Sequence, residues 1–222
     1  MRTLAIETPT HGRVLVRDVD EPAAVVVAFH GYSENAEIQM HRLVQLPHAD
    51  RWTLAAVQGL HRFYRGRSQD VIASWMTRQD RELMIRDNIE YASRAIESLG
   101  SPGVPMIVVG FSQGVAMAFR AAVRGRRRAD GVVAVGGDVP PELLAAADGL
   151  FPPALLLRGR NDEWYTAKKL DADVAALESR GVAVRSITFH GGHEWNDAGA
   201  LAASAFIRSL QITPAADPRA SR

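Results

Sequence analysis

The chain contains stretches that read as almost unbroken apolar runs: AVVVAFH at 24–30, VPMIVVG at 104–110, GVVAVGG at 131–137 and PALLLRG at 153–159. A strand wet on one face alternates polar and apolar side chains, whereas a strand covered on both faces need not. Such runs therefore point to a mostly parallel sheet with helices packed on either side. More mixed β-rich runs at 3–7 (TLAIE), 13–17 (RVLVR), 53–58 (TLAAVQ) and 182–190 (VAVRSITFH) bring the expected count to about eight strands, and TPTHG is short enough to join the first two as a hairpin.

Helical patterns separate these runs. The clearest covers 81–99, where Ile85, Ile89, Ala92, Ile96 and Leu99 recur at spacings of four and three, with Asp80 placed to cap the start and Gly100 the end. Further helices are expected at 113–124, 164–179 and 194–210. Strand followed by helix, repeated five times, gives a doubly wound α/β sheet with right-handed crossovers, whose ligands gather at the carboxyl ends of the strands.

With 222 residues, 47% of them hydrophobic, the chain can build one large core. A single domain over 1–212 is expected, with TPAADPRASR at 213–222 a frayed, disordered tail. Basic and acidic residues number 26 and 25, a formal charge of +1, so no global field recruits nucleic acid or an anionic membrane. No apolar stretch approaches the roughly 20 residues that span a bilayer, and the amino-terminal residues lack a signal core; a soluble, cytoplasmic protein is expected. The absence of cysteine excludes disulfides, thiolate metal ligands and a cysteine nucleophile. No histidine or carboxylate set has metal-ligand spacing, so neither metal nor other cofactor is expected.

Where the run VPMIVVG meets the helical pattern at 113, the link reads GFSQG. A tight strand-to-helix turn forces strained backbone angles on its central residue, Ser112, and side chains two positions before and after would collide, hence Gly110 and Gly114. The gain is a hydroxyl held up at the sheet edge, able to attack a carbonyl while the following helix aims N–H groups at the developing oxyanion. Gln113 would contribute its backbone amide.

A serine hydroxyl is a weak nucleophile near neutral pH and needs a base, and the base needs an acid to fix its tautomer. His193 in FHGGHEW follows the last strand through two glycines and is the expected base, with His190 as the rival. Asp162 in GRND, just past PALLLRG, is the expected acid and gives the chain order Ser, Asp, His; Asp138, after GVVAVGG, is the second candidate, and helix capping is the competing role for Asp162. The loop HGYSEN supplies a second oxyanion donor, the N–H of Tyr32, with Gly31 letting the backbone approach.

The segments HGYSEN, GFSQG, GRND and GGHEW, together with SWMTRQDRELMIRDNIEYASRAIESLG, resemble the phospholipase/carboxylesterase family of the α/β-hydrolase superfamily, from about Val25 to Phe206. The resemblance implies an α/β-hydrolase fold and a metal-free hydrolase acting on a small-molecule carboxylic ester, and in some members on lysophospholipids or acyl thioesters. It carries the nucleophile to Ser112, the acid to Asp162, the base to His193 and the oxyanion amides to Tyr32 and Gln113, and it suggests Trp75 as a wall of the acyl pocket. The family often has a second glycine where this chain has Val115, a change expected to tighten helix packing without moving the serine. The 138–152 segment is too short for a large lid domain, which favours small or short acyl groups.

Two basic clusters remain. Arg124–Arg128 closes a helix and reads as solvated surface. Within RFYRGR at 62–67, Arg65 or its neighbours Arg62 and Arg67 could hold an anionic substrate group. Competing functions are thioester, lactone or peptide hydrolysis on the same triad, and a non-catalytic binding module on this scaffold.

Overall fold

A computed structural model describes residues 1–146 and 150–211. Its nine strands are β1 (Arg13–Arg17), β2 (Ala24–Phe29), β3 (Trp52–Gln58), β4 (His61–Tyr64), β5 (Val71–Ser74), β6 (Met106–Phe111), β7 (Gly131–Val135), β8 (Ala154–Gly159) and β9 (Val184–Phe189). Seven form one sheet in the order β1-β3-β2-β6-β7-β8-β9, parallel except for the antiparallel β1–β3 pair at the edge. The helices are α1 (Ala36–Val44), α2 (Arg81–Ser98), α3 (Gln113–Arg124), α4 (Pro141–Ala145), α5 (Ala167–Glu178) and α6 (Asp197–Gln211).

The unbroken apolar runs are explained by two cores, one on each face. On β2, Val25, Val27 and Phe29 belong to a core shared with residues of α2, α3 and α5, while Ala24, Val26 and Ala28 belong to one shared with α1 and α6. Strand β6 alternates the same way, Met106 and Val108 facing the first core and Ile107 and Val109 the second. Register keeps each layer coherent: Val27 lies between Ala55 of β3 and Val108 of β6, all three in the first core. Each valine or leucine so buried contributes about 1.5–3 kcal/mol.

From β2 the sheet grows outward through β3 on one side and restarts with β6 on the other. The β2–β6 boundary is therefore the topological switch point, where loops leave in opposite directions and open a crevice. Tyr32 follows β2 and Ser112 follows β6, so two of the expected site residues fall at this crevice.

Three local expectations are corrected. Residues 3–7 form no strand, and Leu4 and Ile6 are exposed. The hydroxyl of Tyr91 accepts from Arg13 N–H and donates to Arg13 C=O, 2.9 Å each, so it takes the edge groups that a hairpin partner would need, and β1 pairs with β3 instead. Residues 61–74, where no strand was expected, contain the antiparallel hairpin β4–β5. Asp80 precedes α2 in a left-handed conformation and makes no side-chain cap bond. Gly100 does close that helix, at φ +65, its N–H donating to Glu97 O at 3.2 Å.

The connection between β7 and β8 holds, among the described residues, only the five-residue α4, and these residues form no lid. The segment expected as a tail, 213–222, lies outside the described residues. Among those described, no helix is long and apolar enough to cross a membrane.

Candidate active site

Strand β6 ends at Phe111 and α3 begins at Gln113, so Ser112 alone turns the chain, at φ 51 and ψ −119. This is a costly conformation for a residue with a side chain. It is held from both sides: Ser112 N–H donates to Val135 O of β7 at 2.8 Å, and Ser112 O accepts from Val115 N–H at 3.0 Å. A Cβ at position 110 would lie 2.5 Å from Gly114 O, and one at 114 would lie 2.1 Å from Phe29 O and 2.6 Å from His30 O. Backbone meets backbone at both places, which is why the serine is flanked by glycines at both ends of GFSQG. Val115 is fully buried and finds its room at Gly137, where a Cβ would approach the Val115 Cβ to 2.7 Å.

The loops after β8 and β9 meet over this turn, joined by the Asn161 N–H bond to Gly191 O at 2.8 Å. His193 Nε2 lies 2.8 Å from Ser112 Oγ, and His193 Nδ1 lies 2.8 Å from Asp162 Oδ2. Asp162 is 4% exposed. Its other oxygen, Oδ1, accepts from the N–H groups of Trp164 and Tyr165 at 2.9 Å each, so one carboxylate both closes its own turn and faces the imidazole. The expected helix-capping role is not found, since α5 begins only at Ala167 with Thr166 as its N-cap; Asp162 closes a turn instead. Behind the imidazole stands Phe111, at 5.3 Å between ring centroids.

Of the rivals, His190 is exposed and contributes only its carbonyl, to Asn196. Asp138 is exposed and pairs with Lys169 at 3.1 Å.

The loop after β2 is fixed with equal care. His30 is fully buried; its Nε2 accepts from Gly59 N–H at 2.9 Å, which puts the proton on Nδ1, donating to Gly31 O at 2.7 Å. Burial lowers its pKa, keeping the ring neutral. Glu34 Oε2 accepts from Gly31 N–H at 2.8 Å while Arg42 grips both carboxylate oxygens at 2.7 and 2.6 Å, and the Arg42 guanidinium lies 4.3 Å over the Phe111 ring. The Tyr32 N–H has no acceptor within the chain among the described residues. Gln113 begins α3, where an N–H has no intrahelical partner. Its side chain is turned away, Oε1 accepting from Trp75 N–H at 2.9 Å and Nε2 donating to Met76 O at 3.0 Å.

A cavity of about 810 Å³ opens beside Ser112, Gln113 and His193. Trp75 does not line it. The indole is fully buried, packs edge-on to Phe29 at 5.4 Å, and donates to His30 O at 2.9 Å, so it braces the β2 loop instead of walling a pocket. Arg65 does not line it either; it belongs to a separate cavity of about 680 Å³ beside Arg13 and Arg62. Trp164, 76% exposed, stands at the catalytic-side cavity instead. Arg78, Arg81 and Arg120, not singled out from sequence, also line it; Arg78 precedes α2, Arg81 begins it and Arg120 lies on α3, and nothing in their spacing signals that they meet. Among the described residues no group of three or more His, Cys, Asp or Glu side chains is gathered as metal ligands would be.

The sequence matches the family model described as Phospholipase/Carboxylesterase over residues 11–209. Among solved structures, esterase PE8 aligns at 24% identity with a TM-score of 0.68, over 90% of this chain and 98% of that one. Acyl-protein thioesterase 2 of Zea mays aligns at 18% identity and TM-score 0.73, over 90% and 100%. The Bacillus cereus carboxylesterase aligns at 15% identity and TM-score 0.66, over 90% and 94%. At these identities the likeness is one of fold. No curated protein matches the sequence.

Proposed function

Because the chain belongs to the phospholipase/carboxylesterase family of α/β-hydrolases, we propose that it is a serine hydrolase cleaving small or short-chain carboxylic esters through an acyl-enzyme. The observation that carries this reading is the unbroken line from Ser112 Oγ through His193 to Asp162, with 2.8 Å at each junction. Ser112 Oγ bonds to the ester carbonyl carbon as its proton passes to His193 Nε2. Asp162 holds Nδ1–H and stabilises the imidazolium. The carbonyl oxygen takes up the electron pair and is met by the N–H groups of Tyr32 and Gln113. Collapse breaks the bond to the alcohol oxygen, which leaves with the proton from Nε2. Water then repeats the sequence on the acyl-serine and releases the acid.

The short-chain preference rests on what faces the cavity. Arg78, Arg81, Arg120, Lys169 and Asp138 all line it, and a long hydrocarbon tail would have to desolvate these groups without pairing them. A 4-nitrophenyl ester series tests both parts. Acetate and butyrate are expected to turn over, with kcat/KM lower for the hexadecanoate by about tenfold or more. No turnover of any member would sink the hydrolase reading, and equal rates along the series would sink the short-chain preference.

A further inference from the structure

Two guanidinium groups converge on a single sulfur in the cavity beside Ser112. Arg81 Nη1 lies 3.1 Å and Arg120 Nη1 lies 3.7 Å from Met76 Sδ. A thioether is a weak acceptor, so neither group is satisfied there, and like charges held this close repel. Arg120 is fully buried and is offset on its other side, where Nε and Nη2 donate to Glu142 Oε1 at 2.8 and 2.5 Å. Burial lowers the Arg120 pKa, against the raising effect of Glu142, and the nearby charge of Arg81 lowers it further. Arg81 is exposed and forms no ion pair among the described residues, although Asp80 and Glu82 flank it in sequence. Arg78, three residues before it in the segment leading into α2, is also exposed and lines the same cavity without a carboxylate partner among the described residues.

The remaining charges in the cavity are already engaged. Lys169 is paired with Asp138. Asp173 Oδ2 accepts from the Tyr165 hydroxyl at 2.9 Å and from Val139 N–H at 3.1 Å. The uncompensated charge is thus positive and sits on Arg81 and Arg78, while Arg120, paired with Glu142, keeps only its Nη1 turned to the Met76 sulfur. The segment leading into α2 is anchored next to the serine, because Met76 O accepts from the side chain of Gln113.

Resting on the hydrolase reading, we propose that the cavity selects esters bearing a second, anionic oxygen group, a carboxylate or a phosphate, which Arg81 receives with Arg78 at the rim, Arg120 adding its charge from behind Met76. Guanidinium groups match such oxyanions with paired N–H donors, and an anion at Arg81 would offset its repulsion with Arg120. The anion-binding role expected for Arg65 passes to these residues.

The test compares length-matched esters, 4-nitrophenyl butyrate and 4-nitrophenyl hemisuccinate, with 2-acetoxyethyl phosphate as the phosphate arm against 2-methoxyethyl acetate. The ratio of kcat/KM, anionic over neutral, is expected to exceed one by about tenfold in at least one arm, to shrink with added salt, and to fall by about tenfold in Arg81→Gln. Arg86→Gln, on α2 outside the cavity, should leave the ratio as it is. Calorimetry with succinate and with inorganic phosphate gives a readout independent of turnover: at least one should bind the wild-type protein and lose that binding in Arg81→Gln. Neutral esters hydrolysed with no anionic preference in either arm, or a preference that Arg81→Gln does not change, overturns the anion site and leaves the hydrolase reading standing. Succinate or phosphate binding that depends on Arg81, without turnover of any ester, does the reverse.

Discussion

Ser112→Ala is expected to fold as the parent does and to lose ester turnover by about 10⁴-fold or more. The side-chain bond of Ser112 is to His193 Nε2, and an alanine Cβ occupies the place of the serine Cβ. The strained turn is held by backbone bonds to Val135 and Val115, which the substitution leaves intact. Removing one half-buried hydroxyl should move the melting temperature by no more than about 2–4 °C. The loss of rate is large because the substrate then faces only a water molecule in place of an aligned nucleophile. Turnover within about tenfold of the parent would remove Ser112 from the reaction.

The second large effect is expected at Asp162, where two substitutions separate two roles. In Asp162→Asn the side-chain oxygen can still accept from the Trp164 and Tyr165 N–H groups, so the turn survives. The amide nitrogen then faces His193 Nδ1 as a donor. That favours the tautomer with the proton on Nε2, which cannot accept from Ser112. A loss of about 10⁴-fold in kcat with little change in stability follows; that magnitude is borrowed from serine proteases. Asp162→Ala should lose comparable activity and also stability, since the buried Tyr165 N–H is left without an acceptor, at about 1–3 kcal/mol, and the part-buried Trp164 N–H loses its own. Melting curves and single-turnover rates on the two variants distinguish the roles. An active Asp162→Asn protein would return attention to Asp138.

The elements readable from the sequence were those whose constraint is local. Gly110 and Gly114 betray the turn at Ser112 because backbone atoms crowd both positions. The apolar runs betray a sheet covered on two faces because both sets of alternating side chains are buried. Asp162 and His193 stood out because each follows a recognisable strand end.

What escaped depends on contacts between distant segments. Trp75 suggests a pocket wall only until the orientation of its loop is known, and then it proves to support the loop carrying Tyr32. The hairpin β4–β5 is short, and the HRFY strand is largely exposed, so it lacks an apolar signature. Helix α1 carries the Arg42 that clamps Glu34 against Gly31; neither residue type nor spacing announces that pair. The meeting of Arg81 with Arg120 at Met76 likewise brings two helices together through a third segment.

The mass of the intact protein after exposure to a fluorophosphonate ester tests the account most directly. Attack by an activated hydroxyl displaces fluoride and adds one phosphonyl group, and peptide mapping is expected to find it on Ser112, with no adduct on the Ser112→Ala protein or after Asp162→Asn on the same timescale. An unmodified parent protein, or the group found at another residue, would contradict the assignment of Ser112, His193 and Asp162 as one reacting unit.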